Sequence, residues 1–275
     1  MTKNKVIKAI PVWIVIILAL LWTLIPLLWI IFTSFKTPAE QFAIPPTFFP
    51  THFTIQNYIN FFTRANLIIT FFNSVLVTSI STIIALALGI PAAYALARFN
   101  FKHTSLTLFL ILLARMTPPV VMVVPFFLIA SHLNLTNTYI PIIVASSFLS
   151  VPFAVWMMRG FFTEIPESLE EAAMIDGCTR FQALRKIVLP LILPGMAATA
   201  ILCAIIAWNQ FLFALILTGP STATLPVLVS MFVTEKDIDW GTMSAAAIIT
   251  VIPMIIFGLL VQNNLVRGLT AGSTK

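Results

Sequence analysis

From Ile10 to Phe32 the chain carries no Asp, Glu, Lys or Arg. A helix rising 1.5 Å per residue needs about 20 apolar residues to cross a hydrocarbon core of roughly 30 Å, so this run alone is long enough to span a bilayer. Five more runs follow: Leu67 to Ala97, Ser105 to Ala130 with Arg115 as its one charge, Thr138 to Met158, Ile187 to Leu217, and Ser244 to Val266. The second and fifth exceed the required length and must tilt or protrude. Prolines at 91, 125, 152, 190, 194 and 253 fall within or at the ends of these runs, which predicts kinked helices rather than straight rods.

Charge supports the same class. Only 9% of the 275 residues are charged and 60% are hydrophobic, whereas soluble domains carry about 25% charged residues. A soluble globular enzyme is therefore excluded, and so is a disordered chain, which requires low hydrophobicity. The expected fold is an all-α polytopic membrane protein of six transmembrane helices forming one domain over residues 1–275.

Basic residues flanking the spans set the orientation, because Lys and Arg are retained on the cytoplasmic side. With the N-terminus inside, Lys3, Lys5, Lys8, Arg98, Lys102, Arg159, Arg180, Arg185, Lys186, Arg267 and Lys275 are cytoplasmic, and only Lys36, Arg64 and Lys236 are outside. Both termini are then expected in the cytoplasm. The first run exceeds a signal-peptide core and is followed by Thr33-Ser34-Phe35-Lys36, not a small-residue cleavage site, so it should persist as an anchor.

Three loops result. The outer loop 33–66 carries Pro38, Pro45, Pro46 and Pro50 among aromatics and reads as an ordered, extended segment. The outer loop 218–243 opens Thr218-Gly219-Pro220 and carries Glu235, Lys236, Asp237 and Asp239. The inner loop 159–186 holds five of the nine carboxylates, Glu164, Glu167, Glu170, Glu171 and Asp176. Pro166 suits a first helical turn, the glutamates suit the positive end of a helix dipole, and Gly177 suits a terminator, so a helix of about ten residues is predicted. The spacing puts Leu169, Ala172, Ala173 and Asp176 on one face, with Glu167, Glu170, Glu171 and Met174 around the rest. Small alanines there let another surface approach closely, as a docking helix requires. A second short helix, Phe181 to Lys186, precedes re-entry at Ile187-Val188-Leu189-Pro190.

The string Glu171-Ala172-Ala173, Asp176-Gly177, then Ile187-x-Leu189-Pro190 resembles the "EAA" loop of permease subunits from binding-protein-dependent ATP-binding cassette (ABC) importers. The resemblance covers nearly the whole chain and is nearest to carbohydrate-uptake permeases of the maltose-transporter second-subunit type. It is carried also by Ser34-Phe35-Lys36-Thr37, Asn73-Ser74, Ala92-Ala93-Tyr94-Ala95-Leu96-Ala97-Arg98, Arg115-Met116-Thr117-Pro118-Pro119, Arg159-Gly160-Phe161-Phe162, Trp208-Asn209-Gln210-Phe211 and Val266-Arg267-Gly268-Leu269-Thr270-Ala271-Gly272. Gln210 departs from the pattern, where an acidic residue is usual. The resemblance implies the type I importer permease fold in a prokaryotic inner membrane and a heterodimer with a second permease. It also implies two ATPase subunits docked through Leu169, Glu170, Glu171, Ala172, Ala173, Asp176 and Gly177, and an extracytoplasmic binding protein.

The residues support that division of labour. No Asp or Glu lies within a span, whereas ion-coupled carriers usually need intramembrane carboxylates. No phosphate-binding loop of the form G-x-x-x-x-G-K-[ST] occurs. This chain is expected to bind no cofactor, with ATP and magnesium used by the partner ATPase, and not to be an enzyme. For the solute path the candidates are Trp208, Asn209 and Gln210, an aromatic face with two amides suited to a sugar, though interhelical hydrogen bonding explains them as well. Arg115 is expected to be buried against carbonyls or an amide of a neighbouring helix, as a cavity residue or a gate. His52, His103 and His132 have no ligand spacing, Cys178 and Cys203 cannot pair, and no basic face suits nucleic acid. Two other readings stay open: a permease for a non-sugar solute, and a membrane scaffold that transports nothing.

Overall fold

A computed structural model describes the backbone of residues 3–64, 66–99, 101–233 and 238–271, with side chains described between 12 and 260 except at 64, 65, 100 and 234–237, so that of Arg64 lies outside the described residues. Glu235, Lys236 and Asp237 of the second outer loop lie outside the described residues, as do Gly272 and Lys275. The elements are helical: α1 (Lys3–Ser34), α2 (Pro38–Gln41), α3 (Gln56–Arg64), α4 (Leu67–Arg98), α5 (Thr104–Met116), α6 (Pro119–His132), α7 (Tyr139–Glu164), α8 (Ser168–Ile175) and α9 (Arg180–Ala183). A π-helical turn (Leu184–Val188) leads into α10 (Leu189–Leu191), α11 (Leu193–Trp208), α12 (Leu212–Leu217), α13 (Leu225–Ser230) and α14 (Trp240–Ala271). Among the described residues the one β feature is an isolated bridge between Val233 and Ile238.

Four helices are long and apolar enough to cross a membrane alone, within α1, α4, α7 and α14. The other two expected spans are broken. The third bends by 85° between α5 and α6, and the fifth by 76° between α10 and α11. Pro118 disfavours a helical Thr117, which adopts φ −62° and ψ 124°, and Pro119 then opens α6. The break therefore sits at the proline pair, while Pro125 stays inside α6. In the fifth run Ile192 leaves helical geometry, with Pro194 opening α11. A further interruption at Gln210 and Phe211 separates α12.

The chain forms two compact units. One comprises 1–67 and 228–251, the other 68–227 and 252–275. In the first, every side chain from Val12 to Ile31 is exposed, an apolar surface on all sides that water does not tolerate and lipid does. The segment after α1 is more structured than an extended strap. Thr37 and Glu40 form a capping box on α2, and Asn57 Nδ2 donates to the Ser34 and Lys36 carbonyls, both at 2.9 Å. Lys36 is 2% exposed, its ammonium donating to the Thr47 carbonyl and lying 4.3 Å from the Trp29 ring centroid.

The second unit is built around α7, where Ala145, Ser146, Ser150, Ala154, Met158 and Phe162 are buried. Small residues permit close helix contact. A Cβ on Gly89 would stand 2.7 Å from that of Ala154, and one on Gly195 would stand 2.6 Å from the Phe161 ring. At one end of α4, Asn73 Nδ2 donates to the Ser221 and Ala223 carbonyls at 3.0 and 2.9 Å and its Oδ1 accepts from Tyr139 at 2.8 Å. Ser74 Oγ accepts from the Leu225 N–H at 2.8 Å.

Candidate docking site

The loop between α7 and α10 is a helical hairpin with defined ends. Glu170 and Glu171 occupy the first turn of α8, where exposed N–H groups favour anions. At the other end, the Cys178 N–H reaches the Ala173 carbonyl at 2.9 Å and the Gly177 N–H reaches that of Met174 at 3.1 Å, the two bonds of a Schellman cap. That cap requires a left-handed residue, and Gly177 has φ +89°. Two residues later Thr179 and Gln182 form a reciprocal capping box that starts α9. The sequence thus encodes a turn-locked pair of short helices, with α8 slightly shorter than expected.

The faces of α8 differ from the expected grouping. Glu170 and Ala173 are buried, at 4% and 5% exposure, whereas Leu169, Glu171, Ala172 and Asp176 are exposed. Grouping by helical spacing separated Glu170 from Ala173; partners distant in sequence hold the carboxylate inward beside it. Arg98 Nε donates to Glu170 Oε1 at 2.6 Å and the Tyr94 hydroxyl donates to Oε2 at 2.6 Å. Arg98 Nη2 also donates to the Ile165 carbonyl at 2.8 Å. With the Arg98 and Glu170 side chains each 5% exposed, this is a buried ion pair supported by further hydrogen bonds on both partners, which favour its being tolerated. Arg180 of α9 adds a cation–π contact, 5.0 Å from the Phe99 ring centroid. Glu170 is thus held within the chain, and the outward face is Leu169, Glu171, Ala172 and Ile175.

Ile175, 85% exposed, and Phe181, 69% exposed, were not singled out from sequence. The available signal was an apolar side chain on each short helix outside the membrane runs. A recess of about 100 Å³ in the hairpin is lined by Arg98, Glu167, Glu170, Glu171, Met174 and Arg180. Exposed Ile175 and Phe181, with the exposed carboxylates of Glu167 and Glu171, offer a partner both apolar area and charge.

The solute-path candidates are not gathered into one site. Trp208 is 3% exposed and in T-shaped contact with Phe71 at 6.3 Å and Phe257 at 6.4 Å, so it is packed away and presents no open stacking platform. Asn209 is exposed and donates to the Ile205 carbonyl at 2.9 Å, and Gln210 donates to that of Ile206 at 3.3 Å. Both amides turn back onto the end of α11, where the Ile205 carbonyl also accepts the Asn209 N–H at 3.2 Å. Arg115 is exposed rather than buried, and its guanidinium lies 4.5 Å from the Phe153 ring centroid at the α5–α6 break. The last turn of α5 favours a cation. Among the described residues no three His, Cys, Asp or Glu side chains form a metal site.

Residues 85–271 match the family model described as binding-protein-dependent transport system inner membrane component. The sulfoquinovosyl glycerol transport system permease protein SmoH of Agrobacterium fabrum is 42% identical over 92% of this chain and 89% of its own. The trehalose transport system permease protein SugB of Mycobacterium tuberculosis is 37% identical over 92% and 93%. Among solved structures, a chain of a bacterial ABC transporter involved in the import of the acidic polysaccharide alginate superposes with a TM-score of 0.79. It is 24% identical and covers 96% of this chain and 98% of its own, a likeness of fold.

Proposed function

Because the chain belongs to the binding-protein-dependent transport system inner membrane components, a family of transport subunits rather than enzymes, we propose that it forms one half of the translocation path of an ATP-driven carbohydrate importer. It resides in the inner membrane. The carbohydrate class is supported by the names of relatives similar over nine-tenths of the chain. In this reading a second permease completes the path, two ATPase subunits bind the α8–α9 hairpin and consume ATP with magnesium, and an extracytoplasmic binding protein delivers the sugar. Both termini then lie in the cytoplasm with the hairpin.

The observation that carries the coupling role is the outward face of α8, where Leu169, Glu171, Ala172 and Ile175 stand uncovered on a helix locked at its end by Gly177. An amphipathic helix held this firmly transmits displacement as a lever instead of absorbing it in a flexible loop. Nucleotide shifts the equilibrium between access states only by its differential affinity for them, so a stiff connection between partner and spans is what the chain must supply.

The test is uptake in vesicles containing this chain, the second permease, the ATPase and the binding protein, with labelled trehalose, maltose and sulfoquinovosyl glycerol offered separately. ATP-dependent accumulation of at least one carbohydrate is expected. Accumulation of an amino acid or peptide instead, or no ATP-dependent accumulation of any solute, overturns the reading.

A further inference from the structure

The geometry points to α4 as a rod that carries movement of the docking hairpin to the segment Ser221–Leu225 at the opposite end of the same helix. The inference rests on the docking role proposed above and names the internal path by which that role acts.

At one end, the hairpin grips α4 at Tyr94 and Arg98, in its last turns, and touches Phe99 just beyond it. Glu170 of α8 binds Tyr94 and Arg98, each at 2.6 Å; Arg98 also reaches the Ile165 carbonyl just before α8; Arg180 of α9 lies over Phe99. None of these residues belongs to the two helices that the hairpin joins in sequence, α7 and α10. The grip is therefore an added connection, buried and charge-assisted, and not a consequence of chain continuity. At the other end, Asn73 and Ser74 hold three backbone groups of 221–225, with Asn73 fixed in turn by Tyr139.

Between Asn73 and Arg98 the chain is one helix, Leu67–Arg98, unbroken through Pro91, and at 1.5 Å per residue the two grips lie about 38 Å apart along it. A helix of that length with polar clamps at both ends moves as a body, because sliding at either clamp leaves buried polar groups unpaired. Tyr94, Arg98, Glu170, Asn73 and Ser74 are positioning residues: their roles are met by partners within the chain. Ser221 and Pro220 beside the far clamp are exposed, so the held segment presents a surface that changes with the hairpin.

The experiment uses the full importer complex with Cys178→Ser and Cys203→Ser, carrying one spin label at Lys102→Cys, beyond the hairpin grip, or at Pro220→Cys, beside the far grip. Spectra are compared without nucleotide and with Mg-ATP plus vanadate. Both labels are expected to shift in the parent. Glu170→Gln is expected to abolish both shifts, whereas Asn73→Leu is expected to abolish the Pro220 shift and keep that at Lys102. Should Glu170→Gln fail to assemble, Tyr94→Phe, which keeps the ion pair, is expected to reduce both shifts. A Pro220 shift that survives Glu170→Gln or Asn73→Leu, a Lys102 shift lost in Asn73→Leu, full shifts in Tyr94→Phe, or no shift in the parent overturns the rod. A parent whose labels shift but which accumulates no carbohydrate faults the transport reading and leaves the rod standing; accumulation by a parent whose labels ignore nucleotide does the reverse.

Discussion

Arg98 Nε stands 2.6 Å from Glu170 Oε1, and the pair joins the end of a long apolar helix to the first turn of an exposed one. Both side chains are almost fully buried, so each depends on the other for the charge it cannot share with water. Removing one partner of a buried ion pair typically costs about 3–5 kcal/mol, while replacing both with apolar residues of similar volume is often neutral. Glu170→Ala is thus expected to lower the melting temperature of the purified permease markedly, and Arg98→Met with Glu170→Leu to recover most of the loss. Thermal unfolding followed by tryptophan fluorescence checks both; equal destabilisation by the single and double variants contradicts the pair.

Gly177 and Gly160 separate backbone need from space. A Cβ on either would meet no atom within 4 Å, yet Gly177 has φ +89° and Gly160 lies inside α7. Gly177→Ala places an L side chain in left-handed geometry at a cost of about 1–2 kcal/mol, paid at the cap that fixes α8. Gly160→Ala removes a helix-interior glycine and is expected to stabilise by about 0.5–1 kcal/mol. Comparing the two by melting temperature and by ATP-driven uptake should show loss of both for Gly177→Ala and of neither for Gly160→Ala.

How far the sequence revealed this arrangement varied with the kind of information needed. The run Leu67 to Ala97 matches α4 within one residue because apolar length is a local property. The bends at Thr117-Pro118-Pro119 and Ile192 were not legible as breaks, since hydropathy continues unchanged through a change of direction. Gly177 was recognisable as a terminator from its position after a periodic segment. The inward turn of Glu170 was not, because periodicity on a short helix does not say which face is covered. That information resides in Tyr94 and Arg98, whose association with the loop exists only after folding. Trp208 misled for a similar reason: its chemistry suits a sugar, but Phe71 and Phe257 already occupy its surroundings.

Glu40 gives the loop after α1 a pH dependence. Hydrogen bonds from the Thr51 hydroxyl, foremost, and from the backbone N–H groups of His52, Thr37 and Thr51 hold its carboxyl down to about 2, against a partial opposing effect of burial. A folded value below the unfolded one stabilises the loop fully above the unfolded value of about 4.5, and the stabilisation declines as pH falls towards 2. Limited proteolysis of residues 37–52 in vesicles with that face accessible is expected to stay constant from pH 7 to pH 5 and to rise below pH 4. Glu40→Gln should cleave faster at pH 7 and lose most of the pH dependence; an unchanged profile in Glu40→Gln assigns the effect to another group.

Trp208 and Asn209 are adjacent, yet they should fail differently when truncated. Trp208 is 3% exposed and packed in T-shaped contact with two rings, and emptying such a site typically costs about 3–5 kcal/mol. Asn209 is exposed and its amide bonds a carbonyl of its own helix, a contact worth about 1 kcal/mol or less. Trp208→Ala is therefore expected to lower the melting temperature with a matching loss of assembled complex and no selective change in the KM of uptake. Asn209→Ala should leave the melting temperature within a degree or two, so any rise in KM it causes reads as lost solute contact. Should Trp208→Ala instead keep its stability and raise KM for one sugar but not another, its indole faces the solute after all, and the packing against Phe71 and Phe257 belongs to only one of the access states.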